Sequence, residues 1–91
     1  METEGTIHVL RLDRPTDPQP WTYDVTFAPS GKGGFLTPRT CVGLPALEHV
    51  LKDVGIAGHL RDAALDEVRK DGRSSIPHVR LTENQRRDLW L

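Results

Sequence analysis

Between Pro20 and Ala28 the chain reads Trp-Thr-Tyr-Asp-Val-Thr-Phe, and this alternation limits the fold more than any other stretch. Successive side chains of a β-strand point to opposite faces. Trp21, Tyr23, Val25 and Phe27 therefore share one face, and Thr22, Asp24 and Thr26 share the other. A period of two in aromatic and β-branched residues predicts a strand buried on one side only. Three of the chain's five aromatic residues lie on that side, so the core is expected to form there.

The remaining segments supply partners for this strand. Residues 6–12 form an earlier strand, with Ile7 and Val9 facing one way and Leu10 and Leu12 the other. Apolar residues on both sides predict partial cover of both faces. Residues 13–20 contain three prolines and two aspartates, which exclude helix and ladder and predict a stiff hairpin loop. A glycine-rich turn follows, leading to Phe35-Leu36-Thr37, a short third strand limited by Pro38 and so assigned to a sheet edge.

The period then lengthens. Leu44, Leu47, Val50, Leu51 and Val54 recur at helical spacing, with Pro45 in the first turn and Gly55 as the terminator. Leu60, Ala64 and Val68, with Ala63 alongside, predict a second amphipathic helix closed by Gly72. Residues 75–81 return to alternation, with Pro77, Val79 and Leu81 on one face, and Pro77 again implies a strand start or an edge. Thr82 and Gln85 have the spacing of a capping box, so a short helix is expected from Glu83 to about Trp90. The sum is an α+β fold: a three-stranded meander plus a return strand, packed by two amphipathic helices, with a short C-terminal helix.

Ninety-one residues suit one domain, residues 1–91, with the first five expected to lie outside its ordered part. A single cysteine allows no intrachain disulfide, and the acidic residues after Met1 do not read as a signal peptide. No apolar run approaches the roughly 20 residues of a membrane span. A cytoplasmic protein without membrane attachment is the expectation.

Few residues point to chemistry. The turn Ser30-Gly31-Lys32-Gly33-Gly34 offers backbone N–H groups and a cation to an anion. Its spacing is not that of a phosphate-binding loop, and a hairpin turn explains it. Cys41 precedes a helix start, where a thiolate is favoured, and His49 follows it; a cysteine-dependent enzyme is the remotest reading. His8, His49, His59 and His78 show no metal-ligand spacing, although His59, Asp62 and Asp66 share a helix face. No cofactor motif is found.

The formal charge is −1, from 12 basic and 13 acidic residues. The basic residues nevertheless gather in the second half. Lys32, Arg69, Lys70, Arg73, Arg80, Arg86 and Arg87 would form the contact set of a nucleic-acid-binding protein. Interleaved acids favour an ordinary soluble surface instead. The reading preferred on sequence is a small non-enzymatic interaction or regulatory module, of adaptor or inhibitor type. Proline-limited strands expose sheet edges to a partner protein or to a second copy of the chain. Arg80, Arg86, Arg87 and Trp90 are the residue types most enriched at binding hot spots.

Overall fold

The computed structural model describes residues 2–30 and 38–90, the last three as backbone alone. Along the chain come β1 (Glu2–Arg11), β2 (Thr22–Pro29), β3 (Arg39–Val42), α1 (Leu44–Asp53), α2 (Gly58–Asp71), β4 (Arg73–Thr82) and α3 (Glu83–Trp90). The strands form one antiparallel sheet in the order β3-β2-β1-β4. The protein is thus an α+β fold in which a meander is followed by two helices and a return strand.

The alternation in β2 decides which side of the sheet is covered. Tyr23, Val25 and Phe27 are essentially inaccessible, Trp21 is nearly so, and Thr22, Asp24 and Thr26 are half-buried. Ile7 and Val9 of β1 join the same core with Leu47, Val50, Leu51 and Val54 of α1 and Ala64 and Val68 of α2. Both helices therefore pack on the aromatic face. Leu10 and Leu12 point away from them and stay about half exposed, at 49% and 50%. The partial cover expected on the second face of β1 is not met at Leu10 and Leu12, because α1 and α2 both lie on the other face.

Glycines end the helices where the sequence places them. Gly55 has φ 90°, and its N–H donates to the Lys52 carbonyl while that of Ile56 donates to Leu51. These two bonds are a Schellman ending, with Ile56 tucked into the core beside them. Gly72, at φ 83°, ends α2. At α3, the Gln85 N–H donates to Thr82 Oγ1 at 3.1 Å, and Gln85 Oε1 accepts from the Thr82 N–H at 2.9 Å. That reciprocal pair is the expected capping box.

Two expectations need correction, on residues 2–5 and on Pro77. Residues 2–5 do not stand apart: Glu2–Gly5 belong to β1 and pair with β4, with Glu4 opposite Arg80 and in contact with His78 at 3.2 Å. Opposite charges across a ladder favour that pairing. Among the described residues, Arg39–Val42 pairs with β2 and sets Cys41 opposite Tyr23 across the ladder. The segment Phe35-Leu36-Thr37 and the glycine turn lie outside the described residues. On β4, Pro77 is exposed and Ile76 takes the buried place. The register slips between Gly5 and Ile7 of β1, against Pro77 and His78, and His78 has φ 60°. This bulge resets the alternation, so Ser74 and Ile76 before it and Val79 and Leu81 after it all face the core.

The loop between β1 and β2 is held by polar contacts. Asp17 accepts from the Arg14 N–H at 2.8 Å, its carbonyl accepts from the Trp21 indole at 2.9 Å, and the Asp13 carboxylate accepts from the Thr22 N–H. No helix among the described residues is long and apolar enough to cross a membrane.

Candidate partner-binding groove

Among the described residues, β4 is a 10-residue strand at the end of the sheet, paired on one side only, with β1. Beside its free edge runs α2, joined to it by Gly72 alone. Four residues of α2 (Leu60, Ala63, Ala64 and Glu67) and four consecutive residues of β4, Ser74 to Pro77, line a groove of about 120 Å³. The helical set falls at i, i+3, i+4 and i+7, one face of the helix. The groove exists because the facing residues are small. Ala63, Ala64, Ser74 and Ser75 leave a channel that larger side chains would fill.

The second helical stripe is therefore only half core. Ala64 and Val68 are buried, whereas Leu60 is 45% exposed at the groove and Ala63 is exposed beside it. Leu60 was expected inside with the rest of its stripe. It lies instead at the groove it lines with Ile76 and Pro77, only partly covered. Helical and strand rises set the level of each contact. Counting back from Gly72 at about 1.5 Å per helical residue and about 3.3 Å per strand residue, Glu67 comes level with Ser74, Ala63 with Ile76, and Leu60 with Pro77.

Charge around the groove is divided between its two sides. Glu67 has no ion pair among the described residues, since its neighbour Lys70 bonds Asp66 at 3.1 Å and Arg69 bonds Asp66 at 2.8 Å. Those two hydrogen bonds hold the Asp66 carboxyl below its usual pKa. On the strand side, Arg73, His78 and Arg80 are exposed on the open face of the sheet. Ser75 is fixed there by a 2.9 Å hydrogen bond between its hydroxyl and His8 Nδ1.

The arginine-rich second half does not come together as one surface. Arg73 and Arg80 occupy opposite ends of β4, about 23 Å apart along the strand. Arg69 and Lys70 share Asp66, and the Arg69 carbonyl also accepts from Arg11 at 2.7 Å. Arg86 is half-buried with its Nε inaccessible and unbonded, and Arg87 is exposed on α3. Lys32 and the Trp90 side chain lie outside the described residues. Of the residues expected to meet a partner, Arg80 sits on the edge strand itself and Arg86 and Arg87 on the helix that follows it.

The remaining candidates offer less chemistry. Cys41 is half-buried on β3, and burial pushes its thiol pKa up against the smaller effect of Arg39, opposite to thiolate activation. His49 is exposed on α1 and lies 3.9 Å from Asp53. No cluster of three or more metal-ligating side chains occurs among the described residues. A second concavity of about 400 Å³ lies over Gln19, Pro20, Trp21, Tyr23, Gly43, Leu44 and Pro45. Its size suits a small ligand, but its polar side chains are one amide, one phenol and one indole already bonded to the Asp17 carbonyl, without the convergent charges that fix a ligand's orientation.

Sequence reading missed the groove because it arises only when α2 lies beside β4. It also missed Arg11. This guanidinium stacks 4.7 Å from the centre of the Trp21 ring, and its Nε donates to the Asp13 carbonyl at 3.0 Å. No protein-family model, curated protein or solved structure matches the chain.

Proposed function

We propose that this protein is a small non-enzymatic interaction module of adaptor or inhibitor type. It takes an extended segment of another protein onto the free edge of β4. The observation that carries this reading is the pairing of an unpaired strand edge with an apolar groove beside it, both built from Ser74 to Pro77. Strand addition works in two parts: main-chain hydrogen bonds to the edge give affinity, and pockets for alternate side chains give specificity. A groove of about 120 Å³ is below the roughly 300–1,000 Å³ of small-ligand sites, and suits a single side chain.

The edge is also selective. Pro77 lacks an N–H and the bulge at His78 breaks the ladder, devices that limit indiscriminate pairing of edge strands. An incoming strand then pairs best over Arg73 to Ile76. A second copy of β4 is a poor occupant, because the strand carries Arg73, His78 and Arg80 and no acid. Self-pairing over Arg73 to Ile76 offers no carboxylate to meet Arg73. The occupant favoured is a different chain.

Selection of a random dodecapeptide phage library on the folded domain tests the proposal. Enrichment is expected on the wild type and its loss on Ala63→Trp, which fills the groove from an exposed helix position with little effect on the melting temperature. Equal enrichment on both proteins, or none on the wild type, contradicts it.

A further inference from the structure

We infer that the groove reads a short charge code in its occupant: an aliphatic residue, any residue, a basic residue, then an acidic one. This rests on the strand-addition reading above and adds the chemistry of the partner. Side chains of an added strand alternate between the groove and the open face of the sheet. Two groove-facing residues, i and i+2, are about 6.6 Å apart, close to the rise of about 6 Å from Ala63 to Glu67. An aliphatic side chain seated on Leu60, Ala63 and Ala64 therefore sets its i+2 neighbour against Glu67.

Glu67 is exposed, has no ion pair among the described residues, and faces the groove. A lysine or arginine at that position completes it. The next residue turns to the opposite face at the level of Arg73, since Glu67 is level with Ser74. Arg73 is exposed there and is likewise without an ion pair among the described residues, with Leu10 as its neighbour across the ladder. An aspartate or glutamate fits that place. The order holds for an occupant antiparallel to β4, the more stable of the two pairings.

The same library, selected in parallel on wild type, Glu67→Lys and Arg73→Glu, reads the code directly. On the wild type the enriched peptides should share aliphatic-x-basic-acidic. On Glu67→Lys the basic position should become acidic, and on Arg73→Glu the acidic position should become basic. A synthetic wild-type-selected peptide should lose at least about tenfold in affinity on each variant, as like charges in an interface cost that much or more. Melting temperatures near that of the wild type, expected for exposed sites, keep the comparison free of unfolding. Peptides that enrich on the wild type but keep the same charges on both variants overturn this inference and leave strand addition standing. No enrichment on any of the three overturns both.

Discussion

Gly5 carries the tightest constraint in the sheet. A Cβ added there would meet the Ala28 carbonyl oxygen and lie 2.7 Å from a Phe27 ring carbon. Neither neighbour can give, because Phe27 is fully buried and Ala28 is held in the ladder. Gly5→Ala should therefore destabilise by about 1–3 kcal/mol, the usual cost of overpacking. Urea melts that leave Gly5→Ala equal to wild type would show that β1 and β2 have more room than this. Arg11 is the other residue whose weight emerges only in three dimensions. Alternation puts it on the face of Ile7 and Val9 at the strand end, where its guanidinium ties Trp21, Asp13 and the end of α2 together. Nothing local in the sequence brings residues 11 and 69 together.

The bulge in β4 shows why some elements were legible and others not. The stripe from Leu44 to Val54, the turns at Gly55 and Gly72, and the Thr82–Gln85 box are local signals, set within a few residues by helix geometry. Alternation in β4 places Val79 and Leu81 in the core correctly and misplaces only Pro77, because the bulge puts one extra residue between Ile76 and Val79. The expected strand Phe35-Leu36-Thr37 lies outside the described residues, and among those described Arg39–Val42 pairs with β2. His78 tests the bulge. With φ 60°, a β-branched residue there is strained, so His78→Val should cost about 1–3 kcal/mol. His78→Gly should cost less, since glycine tolerates that conformation. Equal losses in thermal melts of the two variants would contradict the bulge geometry.

Considered whole, the molecule places α1 and α2 on one face of the sheet and buries its titratable phenol beneath them. Burial raises the Tyr23 pKa above the ordinary 10.0, against a smaller opposing effect of Arg11, and raises Cys41 above 9.0. Groups raised in the folded state contribute stability that is complete below the unfolded value and lost as pH rises through the folded one. Stability should then fall from about pH 9 upward. Tyr23→Phe should remove the part of that loss above pH 10.0, and parallel pH–stability curves for the two proteins would contradict the assignment. The same architecture explains why the candidate site was only partly legible. An edge strand limited by proline could be read from Pro77, but the groove needs α2 beside β4, and its residues read as an ordinary core stripe.

Strand addition at β4 is decided most directly by isotope-filtered NOE measurements on the labelled protein bound to a library-selected peptide. The account predicts cross-strand contacts from the peptide backbone to residues between Arg73 and Ile76, together with contacts from one peptide side chain to the methyl groups of Leu60 and Ala63. Contacts confined to Pro20, Trp21 and Pro45, or to Arg86 and Arg87 on α3, with β4 unpaired on its outer edge, would contradict it.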